Sequence, residues 1–283
     1  MAEPRRFVHA GGVRTAYLDS GAGEPIVALH GIPTSSELFE PLLPWLDGFR
    51  LVAPDLLGQG ETEVPRRGRL GHAEYAAHLA AFLDTVAPPT FHLMVHDFGG
   101  VLGLPWAAAH PERLRTLLVL STTASFTLRW WVLCRWMWAA ELLGGAKAIR
   151  RAIVQTLRRP GSVPAALVDR WARPWTRQRV LRGRDHFARR HLRPVTAALG
   201  RIDVPALVLW GKLDRVFPPR YGRRIAKRLP RGVSDTVAGA GHWMPIDRPE
   251  ATGEAISTFL RAARTSTAAG ARVPLRFRPP TSS

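Results

Sequence analysis

Three residues far apart in the chain have side chains suited to covalent catalysis. Asp97 ends the apolar run FHLMVHD and is followed at once by Phe98 and two glycines. Asp214 follows the run VLWGKL, and His242 lies in the small-residue loop AGAGHW. A charge at the end of a buried strand is costly unless it is paired or used. We therefore expect the Asp97 carboxylate to be a nucleophile, with a second carboxylate and an imidazole available near it.

The stretch around Asp97 has the form of a nucleophile elbow, the sharp turn that carries an attacking side chain from a strand into a helix. The turn is strained and requires small neighbours, and Gly99 and Gly100 supply them on one side. Val95 stands where a glycine is usual, which departs from the G-x-S-x-G pattern. A helix that begins at Phe98 would point its N-terminus at Asp97 and help to keep the carboxylate ionised.

The elements around these residues alternate between strands and helices. Helix candidates separate the strand candidates, and this alternation predicts a doubly wound α/β fold. Residues 7–20 are expected to begin the sheet in antiparallel fashion. The runs that follow are apolar almost throughout, as is typical of parallel strands covered on both faces; they are PIVALHG (25–31), FRLVAPDL (49–56), TFHLMVHD (90–97), RTLLVLST (115–122) and VPALVLWG (204–211).

The strand pattern stops between residues 123 and 195. That stretch reads as helical and holds sixteen Lys and Arg against three Asp and Glu, together with six of the ten tryptophans. We interpret it as a helical cap inserted over the strand ends, with aromatic side chains lining an apolar pocket. A basic, Trp-rich helix also suits contact with a membrane surface, an interpretation that we favour less. After residue 263 the composition predicts a disordered tail, 264–283.

Between residues 7 and 263 the chain resembles the α/β-hydrolase superfamily, in which nucleophile, acid and base follow one another in the order of Asp97, Asp214 and His242. The segments HGIPTSSELF (30–39) and PDLLGQGE (54–61) also match the superfamily. The Asp nucleophile and the first segment resemble the haloalkane dehalogenases, with epoxide hydrolases next. The resemblance implies a mostly parallel eight-stranded sheet with helices on both faces. It also implies a core domain of residues 1–122 and 196–263, and a cap of residues 123–195.

The resemblance implies a covalent mechanism. Asp97 would attack a saturated carbon of a small apolar substrate and form an alkyl ester, and His242 would activate the water that hydrolyses it. Asp214 would orient His242. The backbone N–H groups of Ile32 and Phe98 would stabilise the oxyanion.

Two departures from the resembling families leave the reaction open. Dehalogenases commonly hold the departing halide with a side-chain donor at the position of Phe98 and a second one either at the position of Ile32 or on a tryptophan of the cap. Neither Phe98 nor Ile32 has a donor, but a cap tryptophan could still supply one N–H. Epoxide hydrolases commonly use two cap tyrosines as acids, but all three tyrosines lie outside 123–195; His186 or His191 could replace them. A further alternative is a non-catalytic relative that binds a ligand or a membrane surface.

Composition narrows the partners, the location and the cofactors that we expect for this protein. The 40 Lys and Arg against 22 Asp and Glu give a formal charge of +18, which we interpret as a drift towards Arg over the whole chain rather than as a nucleic-acid site. There is one cysteine, Cys134, and the beginning of the chain lacks an apolar leader, so we expect a cytoplasmic protein. No metal-ligand cluster or phosphate loop is apparent, so we expect no metal and no cofactor. Substrate identity, leaving group and oligomeric state stay open.

Four further polar residues are predicted to be structural. His30 should hold the loop around Gly31 by hydrogen bonds to the backbone, and His96 should be a packed histidine. Asp55 should occupy a turn after its strand, and Asp247 should stabilise the start of the last helix.

Overall fold

The computed structural model describes residues 4–65, 70–124, 128–158, 163–174 and 189–269. Its centre is an eight-stranded sheet with the strand order β1-β2-β4-β3-β5-β6-β7-β8. The strands are β1 (Arg6–Ala10), β2 (Val13–Gly21), β3 (Glu24–Leu29), β4 (Phe49–Pro54), β5 (Phe91–His96), β6 (Leu114–Leu120), β7 (Ala206–Gly211) and β8 (Gly232–Val237).

Strand directions agree with the sequence-based expectation. β2 pairs antiparallel with β1 and with β4, and every other pair in the sheet is parallel. All residues of β5 and of β7 are buried, because these central strands are covered on both faces. The mostly parallel sheet is thus confirmed, with its antiparallel start.

The sequence did not reveal β8. Its residues, GVSDTV, begin with a glycine and carry three polar side chains, and only the last of them, Val237, is buried. The strand lies at the edge of the sheet beside β7, so it needs no continuous apolar run. Strand β8 is defined by its parallel pairing with β7. Because β7 lies more than twenty residues earlier in the chain, this pairing leaves little signal in the local sequence of β8.

The helices pack on the sheet in two groups. One group is α1 with α2, where α2 contacts β3 and β5, and the other contains α8 and a 3₁₀ helix, Ser36–Trp45, which contact each other. The helices are α1 (His72–Val86), α2 (Phe98–Ala109), α3 (Leu128–Thr156), α4 (Ala165–Ala172), α5 (Arg189–Ala198), α6 (Arg220–Ala226), α7 (Met244–Asp247) and α8 (Pro249–Ala269).

In the described part of 123–195, regular structure is helical, as predicted, with α3 broken at Gly145 (φ 51°, ψ −138°). α4 packs on α3, and α5 packs on α2 of the core. The exact boundaries of cap and core remain a prediction.

The end of the last helix corrects one expectation. α8 continues to Ala269, so residues 264–269 are helical rather than the beginning of a disordered tail. The apolar face of the helix, with Ile256, Phe259 and Leu260, is buried against the domain, and helix formation extends cooperatively beyond the last buried turn. No helix in the described ranges is long and apolar enough to cross a membrane.

Candidate active site

Asp97 occupies the sharp turn between β5 and α2. Its backbone has φ 49° and ψ −119°, a conformation that a non-glycine residue adopts only when its surroundings enforce it. Two hydrogen bonds to its carbonyl oxygen enforce it here, from the backbone N–H of Gly100 at 3.0 Å and from the Thr122 hydroxyl at 2.5 Å. The turn therefore presents the Asp97 side chain above the carboxyl end of the sheet.

The glycines after Asp97 are required by close packing. A Cβ atom on Gly99 would collide with the carbonyl oxygen of Leu29, and one on Gly100 would collide with the Thr122 side chain. Both glycines therefore allow the first turn of α2 to approach the neighbouring strands, which gives the physical reason for the small residues singled out in the sequence.

The two carboxylate oxygens of Asp97 have different partners. The backbone N–H of Ile32 donates to Oδ1 at 3.0 Å, while Oδ2 lies 3.5 Å from Nε2 of His242. Gly31 makes the first contact possible, since a Cβ there would overlap the Asp97 carboxylate. One oxygen is thus polarised by a backbone donor, and the other faces an imidazole.

His242 lies between two carboxylates. Its Nδ1 is 3.1 Å from Oδ2 of Asp214, and Oδ1 of Asp214 accepts hydrogen bonds from the backbone N–H groups of Val216 and Phe217 at 2.8 and 2.9 Å. These bonds fix the Asp214 carboxylate, which in turn orients the ring so that Nε2 faces Asp97. All three side chains are buried.

The charges of the two carboxylates set the protonation of His242. Burial alone would lower the pKa of this imidazole, but Asp214 and then Asp97 outweigh burial and raise it to about 10. Burial likewise acts to raise the pKa of Asp97, yet the hydrogen bond and positive charge of His242 leave it below the usual value. In the resting site an ionised Asp97 therefore faces a protonated His242.

His96 contacts His242 from the position before Asp97. Burial, followed by the charge of His242, lowers the pKa of His96 to about 4, so the ring is neutral. Its Nε2–H donates to the backbone carbonyl of His242 at 2.9 Å, and its Nδ1 has no hydrogen-bond partner among the described residues. The sequence-based expectation of a packed histidine is confirmed, and His96 also binds the backbone of His242.

Two buried polar residues brace the loop that carries Ile32. His30 donates from Nδ1 to the carbonyl of Gly31 at 2.7 Å and accepts from the N–H of Leu56 at 2.9 Å. Asp55 accepts from the backbone N–H and hydroxyl of Ser36 at 2.8 and 2.7 Å, and burial raises its pKa. Both residues are structural, as predicted, and together they tie the loop after β3 to the loop after β4.

The Asp247 carboxylate connects two segments that are distant in the chain. It accepts from the N–H of Gly241 at 2.8 Å and from the N–H of Arg158, past the end of α3, at 3.1 Å. It thereby joins the loop of His242 to the cap region. Neither this role nor that of Thr122 has a local signal, because each depends on which distant backbone groups the fold brings near.

The structure brings the predicted site residues together at the carboxyl end of the sheet. Asp97, His242, Asp214 and the N–H of Ile32 converge as described above. Phe98 is buried, with its ring edge-to-face against Tyr75 at 5.3 Å, and the oxyanion role of its N–H remains a prediction. Within the described ranges no group of three or more His, Cys, Asp and Glu side chains is arranged to hold a metal ion.

Three buried indole N–H groups near the site have other partners. Trp171 of α4 donates to the Ser35 hydroxyl at 2.9 Å, Trp243 donates to Thr156 at 2.7 Å, and Trp210 donates to the carbonyl of Phe217 at 2.7 Å. The cap side chains that could serve as alternative donors or acids are not among those that the structure describes; these are Trp130, Trp131, Trp136, Trp138, Trp175, His186 and His191. These three indoles therefore do not supply a free donor to a leaving group.

Comparison with known proteins identifies relatives across almost the whole chain. A family model described as alpha/beta hydrolase fold matches residues 24–249. A haloalkane dehalogenase of Sphingobium indicum is 28% identical, with 92% of this chain and 96% of the relative covered. A 2-hydroxy-6-oxo-2,4-heptadienoate hydrolase of Pseudomonas putida is 29% identical, with 92% and 98% covered.

Solved structures agree on the fold. The crystal structure of an ancestral haloalkane dehalogenase superposes with a TM-score of 0.77 at 20% identity, and the match covers 92% of this chain and 99% of that one. At this identity the likeness concerns the fold alone, and the reaction must be inferred from the side chains.

Proposed function

The chain belongs to the α/β-hydrolase fold family and is a hydrolase, and we propose that it acts through a covalent ester on Asp97, in the manner of a haloalkane dehalogenase. The substrate is a small apolar molecule with a leaving group on a saturated carbon, and water is the second substrate. A carboxylate suits such a carbon, whereas attack on an ordinary ester would give a reactive anhydride.

The first step forms a carbon–oxygen bond. Oδ2 of Asp97, the oxygen that Ile32 does not bind, attacks the carbon opposite the leaving group. The bond to the leaving group breaks, the leaving group departs with the electron pair, and the product is an alkyl ester of Asp97. The low pKa of Asp97 keeps the nucleophile ionised before the attack.

Ester formation also prepares His242 for the second step. The ester carries no charge, so the two contributions by which Asp97 raises the pKa of His242 are lost. His242 then releases its proton to solvent more readily and becomes the general base. It takes a proton from water, which attacks Cγ of Asp97, while Asp214 stabilises the imidazolium that forms.

The backbone donor completes hydrolysis. Negative charge develops on Oδ1, where the N–H of Ile32 already donates at 3.0 Å, and the N–H of Phe98 is proposed as the second donor. Collapse of the intermediate breaks the bond between Cγ and the ester oxygen, which takes a proton from the His242 imidazolium and leaves in the product alcohol. The proton of the new Asp97 carboxyl group then passes to His242. The attacking water supplies the oxygen that restores the Asp97 carboxylate.

The observation that carries this proposal is that the two carboxylate oxygens of Asp97 have different partners. One of its oxygens accepts a backbone N–H and the other faces His242 at 3.5 Å. A purely structural aspartate in a turn would be expected to bond to its own turn. Here the carboxylate instead joins two distant loops, as a reacting group held between an oxyanion donor and a base would.

Epoxide hydrolysis is the second candidate, and it is supported by the lack of a free donor for a halide on several described side chains near Asp97. Ile32 and Phe98 bring no side-chain donor, and the indoles of Trp171 and Trp243 are engaged elsewhere. An epoxide oxygen stays attached to the product, so this reaction needs an acid on the ring oxygen rather than a separate halide site. A ligand-binding relative without activity is disfavoured, because a raised His242 pKa and a buried Asp97 are typical of a catalytic site.

Product formation tests the proposal. The protein is incubated with a panel of short bromoalkanes, with release of bromide measured, and in parallel with styrene oxide, with diol measured. Asp97→Asn is the matched control, since the amide keeps the size and the acceptor for Ile32 but cannot attack. Bromide release that Asp97→Asn abolishes supports the dehalogenase assignment. Diol without bromide selects the epoxide hydrolase. If the whole panel gives no bromide and no diol, both assignments are contradicted.

A further inference from the structure

Helix α6 and the turn after it carry six exposed cationic side chains. The side chains concerned recur three or four positions apart and are all exposed; they are Arg220, Arg223, Arg224, Lys227, Arg228 and Arg231. Within the helix this spacing places Arg220, Arg223 and Arg224 along one side; Lys227, Arg228 and Arg231 follow in the turn. We call this set the basic face.

The other side of the same helix is buried. Tyr221, Ile225 and Leu229 contribute to the core, and Gly222 leaves no room for a side chain beside the ring of Trp210. The helix is therefore fixed in rotation, with the basic face turned outward. None of the six cations forms an ion pair with another residue in the part of the chain that the structure describes.

The basic face carries a cost in helix stability. Within α6 the like charges of Arg220, Arg223 and Arg224, three or four positions apart, repel one another and destabilise the helix; glutamates among them would have removed the repulsion. Cations near the C-terminal end of a helix interact favourably with the helix dipole. This interaction explains the presence of only some of the six cations. A general drift towards Arg does not explain the rest, because residues 1–65 contain four Arg against nine Asp and Glu.

The cationic surface extends towards the candidate active site. The loop between β7 and α6 carries exposed Lys212 and Arg215 on either side of buried Asp214. Between them Leu213 exposes 42% of its surface. An exposed leucine flanked by cations is the combination that enters the boundary of a charged lipid surface.

We propose that the basic face docks on a membrane surface that contains anionic phospholipids. Charge complementarity supplies the attraction, as it does for clusters of cations against acidic lipids. The choice of a membrane rather than a nucleic acid rests on the proposed function, since an apolar substrate concentrates in a bilayer and the docked loop is the one that holds Asp214. The docked enzyme would take its substrate from the lipid phase.

Vesicle sedimentation tests the docking. The full-length protein is mixed with vesicles of phosphatidylglycerol and phosphatidylcholine, with vesicles of phosphatidylcholine alone, and with mixed-sequence duplex DNA. The test variant is Arg223→Glu/Arg224→Glu/Lys227→Glu. The control is Arg151→Glu/Arg193→Glu/Arg201→Glu, which changes the net charge equally at exposed positions outside the basic face. Circular dichroism and the unfolding midpoint verify that both variants are folded.

We expect binding to the anionic vesicles only, weakened when salt rises from about 50 mM to about 500 mM. The test variant should bind roughly a hundredfold more weakly and the control close to the parent. Equal loss in both variants, equal binding to neutral vesicles, or binding to DNA without binding to vesicles would each overturn the proposal. Hydrolysis of a soluble bromoalkane should be unchanged in the test variant, so failure to dock and failure of the proposed reaction are separate outcomes.

Discussion

Buried His96 donates its Nε2–H to the backbone carbonyl oxygen of His242, 2.9 Å away. The rings of the two histidines lie with their centroids 4.9 Å apart. Because His96 immediately precedes Asp97, this bond ties the loop of the proposed base to the strand that carries the proposed nucleophile. We therefore infer that His96 is a positioning residue, which acts on the proposed reaction through His242.

Replacing His96 should impair positioning of the base. In His96→Leu the buried carbonyl of His242 loses its donor, a change that costs about 1–3 kcal/mol of stability. We expect kcat to fall roughly tenfold to a hundredfold with little change in KM, since substrate binding is not altered. His96→Gln retains an N–H donor and should recover most of kcat. Equal kcat in the Leu and Gln variants would show that the hydrogen bond has no positioning role.

The Thr122 hydroxyl should support the strained turn at Asp97. Thr122→Val keeps the shape but removes the donor to the Asp97 carbonyl, so we expect a loss of about 1–2 kcal/mol in the free energy of unfolding and a lower kcat. Thr122→Ser keeps the hydroxyl and is the matched control. Urea unfolding and steady-state rates measure both effects, and a Val variant as stable and active as the Ser variant would be inconsistent with this role.

Gly31 should tolerate no side chain. A Cβ at this position would overlap the Asp97 carboxylate, so Gly31→Ala must displace either Asp97 or the loop that carries Ile32. We expect turnover to drop by about two orders of magnitude or more, as for loss of an oxyanion donor. Gly200→Ala is the control, because no atom lies within 4 Å of its added Cβ. Comparable activity in the two variants would argue against the close approach.

The sequence predicted the elements with strong local signals. Apolar runs located the central strands, and Asp97 with its two glycines located the turn, because those features depend on neighbouring residues alone. Strand β8 and the observed contacts of Thr122 and Asp247 were missed for a common reason. Each is defined by a partner far away in the chain, either β7, the Asp97 carbonyl or the N–H of Gly241. The drift interpretation of the basic residues also neglected their uneven distribution along the chain.

Buried histidines should make stability depend on pH. Burial lowers the pKa of His78 from 6.5 to about 4, so on acidification through this interval the unfolded chain binds a proton that the folded chain does not. Stability therefore falls as the pH falls, and His78 should account for about 2 kcal/mol of the loss between about pH 7.5 and about pH 5.

Urea unfolding of His78→Gln at the two pH values measures that contribution, since glutamine can still bond to Thr15, whose hydroxyl lies 2.8 Å from Nε2 of His78. We expect a smaller decline in stability on acidification than in the parent. His9→Gln, at an exposed position of β1, should leave the decline as it is in the parent. A His78→Gln protein with the parent's full decline would refute the assignment.

The covalent role of Asp97 is tested most directly by intact-protein and peptide mass spectrometry of His242→Gln. The protein is incubated with a bromoalkane or epoxide that the unmodified enzyme turns over, and without the base the ester should form but not hydrolyse. We expect a mass gain equal to the alkyl group less one hydrogen for a bromoalkane, or to the whole epoxide, located on Asp97. An unmodified His242→Gln protein, or an adduct on another residue, would contradict the assignment of Asp97 as the nucleophile.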